Sequence, residues 1–310
     1  MSGPVTSADA GIDEEPVAAH SATLEITESR VSQVGALPVR RALPRRARRT
    51  VGAWCFIDHM GPATLDEGGL GVAPHPHIGL QTVTWLLAGE ALHRDSLGTE
   101  QLIRPGQLNL MTAGNGVAHS EEGTGHPRGD VHGVQLWVAQ PSHSRHGAAA
   151  FEHHSELPKV ELEHGSATVL VGDLVEVRSP ARRDTDHAGF DLALRPGRAT
   201  LPLRTDYEHA LVVLAGAVLI EGRAVEPGQL AYVGVGRDEL SLTVDTPTRA
   251  LVVGGVPLDE PVLMWWNFVA RTRDEVIAAH RDWMAEAERF GRVDSRLPRI
   301  EVGAPPWSPQ

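Results

Sequence analysis

The chain has 310 residues, of which 41% are hydrophobic and 22% charged, and a formal net charge of −12. That composition belongs to a soluble globular protein long enough for two cores, and it argues against a mainly disordered chain and against broad nucleic-acid binding. The single cysteine, Cys55, rules out an intramolecular disulfide and thiolate metal clusters, so any metal must use nitrogen and oxygen ligands; no apolar run reaches the roughly 18 residues of a membrane span.

Taken in order, residues 1–21 show neither the basic start nor the apolar segment of an export signal, and are expected to be a disordered leader of a cytoplasmic protein. Residues 40–49, RRALPRRARR, hold six arginines in ten; a solvated loop balancing acidic surface is expected, and Pro44 argues against a DNA-reading helix. Beyond them come short Val-, Leu- and Ile-rich runs separated by Gly, Pro and Asp: TVTWLLAG, QLNLMTAG, HGVQLWVAQ, ATVLVG, FDLAL, ALVVLAGAVLI, QLAYVG, LSLTV and ALVVGG. Many short strands with little helical periodicity between them predict β-sandwiches or barrels. From Thr272 the period changes. Thr272 and Glu275 form a capping-box signature, Val276, His280, Trp283, Ala287 and Phe290 share one helical face, and Gly291 ends the segment, predicting a terminal helix packed on the barrels.

The chain repeats itself. LLAG at 86–89 and PGQL at 105–108 return as VLAG at 213–216 and PGQL at 227–230, which implies two barrels of similar build. Aligning Gly89 with Gly216 puts Pro202 and Arg204 opposite His75 and His77; aligning Pro105 with Pro227 puts Ser241 and Thr243 opposite His119 and Glu121. A barrel that needed those histidines for folding would keep them in both copies, so the asymmetry points to a site in the first half alone.

That site is read from two fragments, PHPHIGLQTVTWLLAG at 74–89 and MTAGNGVAHSEEG at 111–123. In a strand, residues two apart share a face, so His75 and His77 point together, as do His119 and Glu121. Three imidazoles and a carboxylate suit a first-row divalent ion and leave positions open; an open Fe(II), Mn(II), Ni(II) or Cu(II) site fits better than closed structural zinc. Other polar residues carry quieter expectations: His93 and Asp95 fix a turn, with a hydrogen bond to a metal ligand as the alternative. His132 lines a pocket or sits satisfied in the core, His143, His146, His153 and His154 are exposed linker histidines, and Trp265 and Trp266 are buried in packing.

The stretches HPHIGLQTVTWLLAG (75–89), HRDSLG (93–98), PGQLNLMTAGNGVAHSE (105–121), HGVQLWV (132–138) and, more loosely, EPVLMWWNFVARTRDEV (260–276) resemble the pirins, bicupins of the cupin superfamily. The resemblance implies an all-β fold of two tandem jelly-roll barrels with a short C-terminal helix: a metal-binding barrel over 22–147, then a barrel without metal plus the helix over 148–310. It implies His75, His77, His119 and Glu121 as ligands of one divalent ion, Fe(II) first, with Ni, Cu, Mn or Zn as alternatives. Gln81 stands where many cupins carry a glutamate, and Ile78 where pirins usually have arginine; both are expected near the pocket mouth. The implied activity is a quercetin 2,3-dioxygenase type of flavonol opening with O2, with Glu121 also the catalytic base. The alternative is a non-catalytic, redox-sensing regulator that binds a transcriptional or metabolic protein partner; a third reading is a cupin isomerase or lyase. Neither nucleic acid nor membrane is an expected partner.

Overall fold

A computed structural model describes residues 24–308 apart from 36, 67–69 and 125–127; the leader expected over 1–21 lies outside the described residues. The two barrels expected from the strand runs are present, each a seven-stranded sheet facing a four-stranded one. In the first barrel the large sheet runs, in spatial order, Ala150–His154, Leu108–Thr112, Leu80–Ala88, Arg128–Ala139, Trp54–Asp66, Leu37–Leu43 and Arg30–Val34. Its small sheet runs Val72–His77, Val117–Glu122, Ala91–Asp95 and Glu100–Ile103. The second barrel repeats the plan with Glu25–Glu28, Gln229–Tyr232, Glu208–Ala215, Thr248–Gly255, His187–Leu194, Gly165–Val171 and Lys159–Leu162 against Gly197–Pro202, Glu239–Val244, Val218–Ile220 and Arg223–Val225.

The sequence repeat is a repeat of turn chemistry. Gly89 and Gly216 both take positive φ, +86° and +79°, to leave equivalent strands. In each PGQL turn the glutamine side chain closes the loop: Gln107 Oε1 accepts from Arg104 N and Gln229 Oε1 from Glu226 N, both at 2.9 Å. The same local bonds set the same register in both halves.

The barrels are not cleanly consecutive. Glu25–Glu28 pairs with Gln229–Tyr232 and so edges the second barrel, whereas Ala150–His154 pairs with Leu108–Thr112 and edges the first. Each sheet thus borrows a strand from across the expected boundary near residue 148. Between them lies a shared apolar core including Trp54, Val83, Leu136, Val212 and Leu251. Trp54, fully buried, donates its indole N–H to Ala188 O at 3.1 Å and Gly254 O at 3.2 Å. Gly52 N donates to Glu208 Oε1 at 2.5 Å, and Tyr232 OH to Glu208 Oε2 at 2.7 Å, so a buried carboxylate at the junction is fully engaged.

Two expectations are corrected. The arginine-rich segment is a surface turn only over 44–49: its first residues, 40–43, end the strand Leu37–Leu43, where Arg41, 1% exposed, grips Asp58 through two bonds of 2.8 and 2.7 Å and lies over the Phe56 ring. A buried charge needs a paired partner, and Asp58 on the neighbouring strand supplies it. The terminal helix, Arg273–Met284, is capped by Thr272, whose Oγ accepts from Glu275 N at 3.2 Å. The other half of the capping box does not form, because the Glu275 carboxylate turns to Arg145 and to Arg271 N. The helix stops before Gly291, at Ala285, and Phe290 comes in a short 3-10 turn.

Helix, 3-10 turn and the hairpin Leu263–Trp265/Phe268–Ala270 all pack on the first barrel, with Ile78 and Ala118 sharing one cluster with Trp265, Trp266, Phe268, Val276, Trp283 and Phe290. The end of the chain thereby returns to the strands that carry the histidine pairs. Among the described residues no helix is long and apolar enough to cross a membrane.

Candidate metal centre

Val72–His77 and Val117–Glu122 pair antiparallel, with His75 opposite His119 and His77 opposite Val117. The two-residue period turns His75, His77 and His119 to the barrel interior, where they are 2%, 1% and 1% exposed. Their ring nitrogens converge: one ligand atom from each lies within 4.8 Å of the others. A register shift between His119 and Glu121 bends the strand there. Glu121 lines the same small cavity, about 20 Å³, together with Val34, Phe56, Asp58, Leu70, Gln135 and Trp137. Its carboxylate does not join the three nitrogens within that 4.8 Å group; it accepts from Thr84 Oγ at 3.3 Å, and Thr84 in turn reaches Gln135 Oε1 at 2.8 Å.

The hydrogen bonds behind the rings decide which nitrogens face inward. His77 Nδ1 donates to Asn267 O at 2.9 Å and His75 Nδ1 to Ala73 O at 2.8 Å, so in the neutral rings both Nε2 atoms are lone-pair bearers. Burial first, then the neighbouring imidazoles, holds all three rings well below the ordinary histidine pKa. His119 Nε2 stands 3.0 Å from His77 Nε2. Neutral imidazole nitrogens converging in a water-poor interior are the donor set of a divalent cation, and this arrangement fits one. Burial also raises the Glu121 carboxyl pKa, against the opposing pull of His93 and Thr84.

His93 and Asp95 do both things weighed for them. Asp95 Oδ1 accepts from Leu97 N at 2.9 Å and Thr99 N at 3.0 Å, fixing the turn, while Oδ2 lies 3.1 Å from His93 Nε2. His93 Nδ1 in turn sits 3.3 Å from His119 Nδ1, and its ring stacks on Phe151 with centroids 4.5 Å apart. The alternation His93-x-Asp95, the same two-residue spacing as the other pairs, was the available signal. Nothing local marked Asn267 or Phe151, which arrive from distant parts of the chain.

Several expectations shift. Gln81 and Ile78 are 1% and 5% exposed and line no part of the site cavity: Gln81 bonds Thr112 at 3.0 Å, and Ile78 packs against Phe268. His132 Nε2 meets His59 Nε2 at 3.0 Å beside an inter-barrel cavity of about 800 Å³. His143 and His146 are exposed as expected, but His153 and His154 are partly buried in a strand and bonded to Asn109 and Glu152. Trp265 and Trp266 are buried against the helix.

Comparison with known proteins agrees with this architecture. The family model Pirin matches residues 36–138, and the model Pirin C-terminal cupin domain matches 189–291. A Pseudomonas aeruginosa protein named "Putative quercetin 2,3-dioxygenase" is 44% identical over 293 residues, covering 93% of this chain and 92% of its own. The crystal structure of quercetin 2,3-dioxygenase from Acinetobacter baumannii superposes with a TM-score of 0.88 at 38% identity, covering 93% of this chain and 97% of the other. A bacterial pirin from Escherichia coli, crystallised in complex with nickel(II), shares the fold with a TM-score of 0.62 at 16% identity, covering 76% of this chain and 100% of its own.

Proposed function

The chain belongs to the pirin family, and from that premise we propose that it is a mononuclear metal-dependent dioxygenase of the quercetin 2,3-dioxygenase type, acting on a flavonol and O2. The observation that carries this reading is the convergence of three buried, neutral imidazoles on one point beside a carboxylate. His75, His77 and His119 would hold the ion, with Glu121 on the wall of the same cavity as the fourth ligand and Fe(II) the first choice for an open nitrogen and oxygen donor set. When bound, the ion supplies Lewis acidity to the 3-hydroxyl of the flavonol and electron exchange with dioxygen. Glu121 is the base that takes the hydroxyl proton, because it is the one strong acceptor in the set. Phe56 and Trp137, stacked with centroids 4.2 Å apart, give the cavity an aromatic wall, against which a flavonol ring would pack once the cavity widens to admit it. Both atoms of O2 enter the products, and one ring carbon leaves as carbon monoxide. The single cysteine, Cys55, is free and buried, in keeping with a cytoplasmic protein.

The test is oxygen uptake by iron-loaded protein with a panel of flavonols, read together with product mass. Stoichiometric consumption with a ring-opened product supports the dioxygenase, and its loss in Glu121→Ala at unchanged iron content supports the assigned base. One observation favours a second reading: a cavity of about 20 Å³ has room for little more than a water, far below the few hundred Å³ of ordinary ligand pockets. On this second reading the protein is a redox-sensing regulator in which the oxidation state of the metal alters what a protein partner binds. In that case no flavonol is consumed, and only the oxidation state of the metal changes partner capture.

A further inference from the structure

We propose that Asp95, acting through His93, is the positioning residue that selects the tautomer of His119 and thereby aims the Nε2 lone pair of that ring at the metal. The inference deepens the metal reading above and rests on it. Asp95 is 2% exposed and cannot swing, because Leu97 N and Thr99 N hold Oδ1 while His93 Nε2 meets Oδ2. With two backbone N–H groups on Oδ1 and a ring nitrogen on Oδ2, the carboxyl is placed to accept on both oxygens, as a carboxylate does. A carboxylate has no hydrogen to give, so His93 donates from Nε2, and the neutral tautomer that does so presents a lone pair at Nδ1. His119 Nδ1, 3.3 Å away, must then be the protonated nitrogen, which leaves Nε2 bare and facing His77 Nε2 at 3.0 Å.

Each of the three clustered rings therefore has an acceptor behind it: Ala73 O for His75, Asn267 O for His77, and His93 for His119. The first two acceptors are backbone carbonyls, which have a single state. The third is an imidazole with two tautomers, and it needs Asp95 to choose between them. The second barrel supplies a contrast. The offset that aligns Gly89 with Gly216 puts Ile220 and Gly222 opposite His93 and Asp95, so the relay is missing from the barrel that also lacks the histidine cluster.

Asp95→Asn separates this role from the turn. The amide keeps an oxygen for Leu97 N and Thr99 N, since the flipped amide would face two N–H donors with a third. Its nitrogen then donates to His93 Nε2, which forces the hydrogen of His93 to Nδ1 and that of His119 to Nε2, the atom aimed at the ion. The experiment uses the full chain. Ring tautomers are read by nitrogen NMR on metal-free protein with labelled histidine, and Ni(II) affinity by competition with a chromophoric chelator. Wild type is expected to hold the hydrogen of His119 on Nδ1, and D95N to move it to Nε2 with Ni(II) affinity reduced about 10- to 100-fold. H93F, which keeps the stack on Phe151, is expected to lose a similar factor, and D95N added to H93F to lose nothing more. A wild-type His119 protonated on Nε2, an unchanged tautomer and Ni(II) affinity in D95N, or additive losses in the double variant would overturn the proposal. Should wild type bind no Ni(II), the metal reading fails while the tautomers still decide the relay.

Discussion

The carbonyl oxygen of Asn267 accepts a hydrogen bond from His77 Nδ1 at 2.9 Å across 190 residues of sequence. The hairpin that carries it turns at Trp266 in the left-handed region, φ +52°, with Trp265 paired to Phe268. The orientation of a ring in the first barrel is therefore set by a segment that follows the second.

This support makes Gly79 sensitive. Its φ is +65°, and a Cβ there would lie 2.2 Å from Val269 O, two residues beyond Asn267. Gly79→Ala is expected to destabilise the protein by about 2–4 kcal/mol through strain and displacement of the hairpin. Metal affinity should fall with it, because Asn267 moves away from His77. Urea unfolding and a chelator competition check both; an unchanged pair of values would sever hairpin from site.

Substituting a clustered histidine should separate metal from fold. His119→Ala is expected to lose high-affinity metal loading, measured by elemental analysis, at a stability cost of about 1–3 kcal/mol. The second barrel keeps its shape with Ser241 at the corresponding position. Global unfolding of the variant, seen by circular dichroism, would contradict this.

Trp54 ties the barrels through one donor shared by Ala188 O and Gly254 O. Trp54→Phe should cost about 1–3 kcal/mol, since it leaves buried carbonyls without that partner, and Trp54→Ala about 3–5 kcal/mol by adding a cavity. Metal content of Trp54→Phe should match wild type, because the indole lies in the junction core and does not line the site cavity.

Acid should weaken the fold through buried histidines outside the site. Burial is the leading cause that pushes His59 down to about 3 and His187 and His209 to about 4, from an ordinary 6.5. The unfolded chain takes up these protons first, so their contribution is complete above pH 6.5 and is lost as pH falls from 6.5 through about 4 for His187 and His209 and through about 3 for His59. Each supplies a slope of up to about 1.4 kcal/mol per pH unit in that window. Unfolding free energies across it should decline, and His209→Gln should remove one histidine's share of the slope.

What could be read from the chain in advance was whatever depends on short spacing. The pair His75/His77 was legible because strands alternate faces every residue, and the two barrels because glycine and PGQL turns recur with the same local bonds; alternation alone did not place Glu121, which lies beyond a register shift from His119 and outside the group of three nitrogens. Arg41 was misjudged because its charge is neutralised by Asp58, 17 residues away on another strand. The fates of Gln81 and Ile78 escaped for a related reason: alignment with a motif says which residues are neighbours in sequence, not which wall of a barrel they face. His93 was half legible, since its spacing to Asp95 was visible but the approach of His119 from the next strand was not.

The exchanged edge strands make synthesis order matter. When residue 147 leaves the ribosome, the leading sheet still lacks Ala150–His154, and Glu25–Glu28 waits for Gln229–Tyr232 more than two hundred residues downstream. The peptide carbonyl that steadies His77 is made later still. Until then the His77 ring lacks its carbonyl partner and the leading sheet keeps an open edge, so the three rings reach their final arrangement only after the second barrel has been made.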